Sequence, residues 1–129
     1  MSQPLRLGIA GRGTVGVGLI ELLNAQADVL TTRAGRPLVV TAVSARSQRD
    51  RGVDLSEMAW CDDPVALAGR DDVDLVVELM GGEGDPAKAL CLAALGASKS
   101  VVTANKALLA LHGTELARTA EANGAILGF

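Results

Sequence analysis

The chain predicts an α/β fold: a Rossmann-type, doubly wound, mostly parallel sheet with helices on both faces, in one domain spanning residues 1–129. Three observations predict it. Short apolar runs alternate with helical patterns along the whole length, the order in which a parallel sheet is built. The first of these runs breaks into a G-x-G-x-x-G turn, Gly11-Arg12-Gly13-Thr14-Val15-Gly16, and then into a helical pattern. Apolar residues make up 49% of the chain but aromatics only 2%, with Trp60 and Phe129 alone. The core must then be built from Ala, Val, Leu and Ile, the material of strands buried on both faces.

Each element follows in order. Residues 5–10 are apolar and form a first buried strand. Residues 15–30 carry Val15, Leu19, Leu22, Leu23 and Leu30 near helical spacing and predict a long helix. A turn over 31–37 contains Arg33-Ala34-Gly35-Arg36-Pro37 and leads to a second strand over 38–45. Residues 44–54 are polar and loop-like, and a short strand is expected at 58–61. Asp63-Pro64 starts a short helix, with Asp as N-cap and Pro at the first helical position, and Gly69 ends it. Residues 73–79 form the next buried strand, followed by Gly81-Gly82. Asp85-Pro86 repeats the cap-and-proline start of a helix that carries Ala89, Leu90, Ala93 and Ala94 and stops near Gly96. A strand over 100–103 precedes two helical segments, 105–111 and 113–123, with Gly124 as the closing glycine. Residues 125–129 begin a last strand, and a chain that stops inside one is expected to be a fragment of something longer.

Composition excludes several classes of function. The net charge is −3 and there are few rings on which bases could stack, so no nucleic-acid partner is expected. Cys61 and Cys91 belong to no CxxC or Cys/His cluster and are expected to be reduced, buried thiols of a cytoplasmic protein. His112 is the single histidine, so no His-rich metal site is expected. No leader opens the chain and no apolar run is long enough for a bilayer, so no membrane partner is expected.

The candidate chemistry lies where strands meet helices. In the first turn, Gly11 allows the bend, Gly13 lets the backbone approach a diphosphate, and Gly16 lets the helix lie close to the sheet. The free N–H groups of that helix face the phosphates. Arg12 either reaches a phosphate or stands solvated in the turn, and Thr14 either caps the helix or donates to the pyrophosphate. After the second strand an NAD site wants a carboxylate for the ribose hydroxyls. This chain offers Ser44-Ala45-Arg46-Ser47-Gln48-Arg49 instead. Either Arg46 and Arg49 attract a 2′-phosphate and Ser47 hydrogen-bonds to it, or these are loop cations on an exposed surface; the missing acid and the added cations together favour NADP(H) over NAD(H), a cofactor the fold also admits. Gly81 and Gly82 follow a buried strand, either passing close to a cofactor or making a plain turn. Thr103-Ala104-Asn105-Lys106 joins another strand to a helix. Lys106 sits in the first turn of that helix, where the dipole disfavours a cation. It is either an ordinary exposed lysine or a group that hydrogen-bonds a substrate oxygen or relays its proton.

Taken together, these motifs resemble the N-terminal nucleotide-binding domain of homoserine dehydrogenase. The matching pieces are the glycine turn, Arg51-Gly52-Val53-Asp54, Asp62-Asp63-Pro64, Val76-Val77-Glu78-Leu79-Met80-Gly81-Gly82 and the block from Val101 to Ala110, with Thr103-Ala104-Asn105-Lys106-Ala107-Leu108-Leu109-Ala110 the most specific. The match covers essentially the whole chain in order. It implies reversible NAD(P)-dependent interconversion of aspartate 4-semialdehyde and L-homoserine, a step toward threonine and methionine. It also implies that Lys106 is the active-site lysine of this domain and that Thr103, Ala104 and Asn105 lie along the nicotinamide. The substrate-binding residues, a second lysine, the dimerisation sheet and the metal site of that family lie in a following domain, and the assembly is expected to be a homo-oligomer. Glu83-Gly84-Asp85-Pro86 departs from the family's tighter connection and leaves the local loop shape open. Two other readings compete. One is another Rossmann dehydrogenase or reductase, which usually places other residues at Asn105-Lys106. The other is a stand-alone nucleotide-sensing module without catalysis.

Overall fold

The sequential order of apolar runs becomes a parallel sheet. The computed structural model describes residues 3–11, 32, 35–44 and 58–129. Among these residues lie strands β1 (Leu5–Gly11), β2 (Leu38–Ser44), β3 (Ala59–Trp60), β4 (Leu75–Leu79), β5 (Ser100–Thr103) and β6 (Leu127–Gly128). Their spatial order is β3-β2-β1-β4-β5-β6, and every neighbouring pair is parallel. A 3₁₀ helix (Pro64–Gly69) and the α-helices α1 (Ala87–Gly96) and α2 (Lys106–Ala122) make the connections between β3 and β6. The chain winds outward from β1 to β3, returns to the other side of β1, and winds outward again from β4 to β6. This is the doubly wound Rossmann-type order, and its switch point lies between the carboxyl ends of β1 and β4.

Strand alternation sends apolar side chains to both faces. On one face Ala10, Ala42, Val76 and Val101 pack with Leu67 of the 3₁₀ helix, Leu90, Cys91 and Leu95 of α1, and Leu108, Leu116 and Ala120 of α2. On the other, Ile9, Val43 and Val77 pack with Met58, Trp60, Leu75 and Leu79. Full burial of each Leu, Ile or Val contributes about 1.5–3 kcal/mol. Gly8 allows one close approach: a Cβ there would stand 3.1 Å from both Cγ atoms of Val73. The expected helix over 15–30 and the loop over 45–54 lie outside the described residues.

Most strand ends fall within a residue or two of the expectation. Three differences have a physical reason. β4 begins at Leu75 rather than 73. The Asp74 carboxylate takes the Arg6 backbone N–H at 2.9 Å, standing in for a ladder carbonyl, so regular pairing starts one residue later. Asp63 and Pro64 behave as expected, the carboxylate accepting the Val65 N–H at 3.0 Å. At the second Asp-Pro pair, Pro86 is the N-cap of α1 rather than its first residue. Its carbonyl already accepts the Leu90 N–H, and Asp85 caps from one residue further back by accepting the Ala89 N–H at 3.0 Å. Finally, α2 runs unbroken through His112-Gly113. An interior glycine costs about 1 kcal/mol, less than the burial of Leu108 and Leu116 on either side returns.

Candidate functional site

The carboxyl edge of the sheet gathers the residues that the sequence singles out. Gly11 ends β1 and pairs with Leu79 at the end of β4. Glu78 of β4 pairs with Thr103 of β5. Three strand ends thus open on one side: β1 with Gly11, β4 with Met80-Gly81-Gly82, and β5 with Thr103-Ala104-Asn105 leading into Lys106. In an open parallel sheet this edge, at the switch point, is where ligands bind.

Gly81 and Gly82 have φ of +79° and +88°, which bends the chain sharply off β4. Among the described residues nothing lies within 4 Å of where a Cβ would stand at either one, and both are exposed. The loop therefore presents bare backbone at the carboxyl edge, a surface that a dinucleotide fits.

Behind this loop is a buried polar network. Glu78 is fully buried, and its Oε2 accepts the N–H groups of Met80 at 2.6 Å and Gly81 at 3.1 Å. Its Oε1 accepts the Thr103 hydroxyl at 2.7 Å, and the Thr103 oxygen accepts the Asn105 N–H at 3.0 Å. Asn105 is the N-cap of α2: its Oδ1 accepts the Leu108 N–H at 3.0 Å, while its Nδ2 donates to the Gly82 carbonyl at 2.6 Å. Among the described residues no buried side-chain nitrogen or oxygen lacks a partner. The thiol of Cys91, beneath the network on α1, is pushed up to about 12 by burial and then by the negative charge of Glu78.

Lys106 is the first residue of α2 and is exposed. Among the described residues nothing pairs with its ammonium. Ala104 is exposed as well, whereas Thr103 and Asn105 are 1% and 6% exposed and use their side chains inside the network. Thr103 and Asn105 thus hold the edge in shape, and Ala104 and Lys106 face outward from it. Arg12, Gly13, Thr14, Val15, Gly16, Arg46 and Ser47 lie outside the described residues. Sequence reasoning missed Glu78 as a site residue. The available signal was a carboxylate inside Leu75-Val76-Val77-Glu78-Leu79, an otherwise apolar strand that ends at two glycines.

Known proteins are similar to this chain in sequence and fold. Residues 11–129 match the family model described as homoserine dehydrogenase, NAD binding domain. The homoserine dehydrogenase of Corynebacterium glutamicum is 46% identical over 125 residues, covering 95% of this chain and 27% of that protein. The crystal structure of a homoserine dehydrogenase from Thiobacillus denitrificans superposes with a TM-score of 0.89 at 35% identity, covering 98% of this chain and 29% of that one. A hyperthermophilic archaeal homoserine dehydrogenase in complex with NADPH gives a TM-score of 0.76 at 26% identity, covering 98% of this chain and 44% of the other. The chain spans less than half the length of each of these relatives. With the matching model covering nearly all of it, the chain belongs to the family of homoserine dehydrogenase NAD-binding domains.

Proposed function

We propose that the chain is the dinucleotide-binding part of an enzyme that interconverts L-homoserine and aspartate 4-semialdehyde, using NADP(H) in preference to NAD(H). The observation that carries this reading is the convergence of Gly11, the bare Gly81-Gly82 backbone and the Thr103–Lys106 turn at the switch point of the sheet. A bound nicotinamide cofactor supplies or accepts the hydride. The chain's own residues bind and orient it. The Gly11–Gly16 segment receives the diphosphate, while Arg46 and Ser47 receive a 2′-phosphate. The loop at Gly81-Gly82 and the exposed Ala104 border the nicotinamide side. Lys106 directs its side-chain nitrogen to the substrate oxygen, as the ammonium donating a hydrogen bond or proton in reduction and as the neutral amine taking the hydroxyl proton in reverse. A partner domain holds the substrate against the cofactor, since hydride transfer needs both in fixed geometry.

The same reading makes the protein a cytoplasmic homo-oligomer. Exposed Leu111, Ile126 and Phe129 support self-association, which light scattering checks. Among the described residues no helix is long and apolar enough to cross a membrane. The reading is tested with two proteins, this chain alone and the chain joined to a substrate domain. The joined protein is expected to reduce NADP⁺ in a homoserine-dependent way, and the chain alone to bind the cofactor without turnover. Homoserine-dependent turnover by the isolated chain, or none by the joined protein, would overturn it.

A further inference from the structure

Glu78 is a buried carboxylate to which the proposed chemistry gives no part. Its bonds close a ring. From Oε2 the ring passes to the Gly81 N–H, along the backbone to the Gly82 carbonyl, and across to Asn105 Nδ2. From the Asn105 N–H it returns through the Thr103 oxygen to Glu78 Oε1. Two of these links, Thr103 to Glu78 and Asn105 to Gly82, cross from β4 and its loop to the turn after β5, and the other two tie each end to its own segment. Lys106 is the next residue along that turn. We propose that Glu78 is the positioning residue that sets the loop at Gly81-Gly82 and the start of α2 at Lys106 at a fixed separation. The proposal rests on reading this edge as the dinucleotide site.

The donor and acceptor count explains why a carboxylate is needed. The loop offers two N–H donors, and the Thr103 hydroxyl offers a third. The Thr103 oxygen already accepts the Asn105 N–H, so its own hydrogen goes to Glu78. Only a carboxylate presents an acceptor oxygen to each side at once. A glutamine has the same shape but one oxygen. It keeps the loop amides on that oxygen, turns an NH₂ toward Thr103 and leaves the hydroxyl hydrogen without its acceptor. Because Glu78 and Thr103 are 0% and 1% exposed, an opened link between them is not repaired by water.

The test compares E78Q, T103V and the double variant of the chain by amide NMR and by calorimetric titration with NADPH. E78Q is expected to shift the amides of Asn105 and Lys106, across the gap, along with that of Gly81. T103V is expected to shift Gly81 in return. Each single variant should weaken NADPH binding by about tenfold, and the double variant should be no weaker than the worse single one. Shifts confined to the mutated side, or additive losses in the double variant, would overturn the proposal. Should E78Q fail to fold, T103V decides alone, by whether Gly81 and Gly82 move. Should the wild-type chain bind no NADPH, the dinucleotide reading fails, while the amide shifts still decide whether Glu78 couples the two turns.

Discussion

Asn105 Nδ2 and the Gly82 carbonyl oxygen lie 2.6 Å apart, so the residue that caps α2 also grips the loop leaving β4. Removing that side chain uncaps Leu108 N–H and orphans a carbonyl in one step. N105A is expected to lower stability by about 1–3 kcal/mol, combining a lost cap with a lost hydrogen bond. Urea unfolding measures it, and a loss under about 0.5 kcal/mol would show that the cap carries little.

Acid should loosen the opposite, amino edge. The two-point hydrogen bond from Arg6, with Nε at 3.0 Å and Nη2 at 2.9 Å, holds the Asp74 carboxyl below its usual range. A free aspartate titrates near pH 4 (about 3.9). A group with a lowered folded pKa adds stability above the unfolded value and loses it as pH falls through the folded one. D74N should therefore be less stable than the parent at pH 7, with a gap that narrows below about pH 4. Both side chains are partly exposed, so the gap should be modest and smaller in high salt. Denaturation curves at several pH values test this, and a gap that widens in acid would contradict the pairing.

Cofactor preference should rest on the segment after β2. NADPH is expected to bind more tightly than NADH, each charge-assisted bond to the 2′-phosphate adding roughly 1.5–3 kcal/mol. R46A should erase most of the difference. Calorimetry with both cofactors would refute the assignment if affinities are equal, or if R46A leaves the preference intact.

Lys106 should matter to the reaction more than to binding. In the protein joined to its substrate domain, K106A is expected to lower kcat by about 10²–10⁴-fold, the range for a positioned acid–base group. NADPH affinity should change little. Near-normal kcat with weakened NADPH binding would reassign the residue to the cofactor.

How much of this was legible in the sequence depended on where the information is local. Apolar runs with glycine turns marked each strand to within a few residues, because parallel strands buried on both faces read as continuous apolar segments. Asp63-Pro64 announced its cap because the bond it makes, to the Val65 N–H, is local. Pro86 and Gly113 misled because neighbouring contacts outweighed local preference: the Asp85 bond to Ala89 at one, the buried face of Leu108 and Leu116 at the other. Thr103 and Asn105 were recognised by motif, but their inward role was hidden. It depends on Glu78, 25 residues from Thr103 in sequence and its register partner in the sheet. Such pairing arises only when β4 and β5 come together.

The central claim is that a dinucleotide occupies the carboxyl edge at the switch point. The most direct measurement is an amide NMR titration of the chain with NADPH, with all three strand ends and the amino edge assigned. The account predicts saturable one-to-one binding that shifts Gly11, Gly81, Gly82, Ala104 and Lys106 and leaves Arg6 and Asp74 unmoved. Absence of binding, or shifts centred on Arg6 and Asp74, would contradict it.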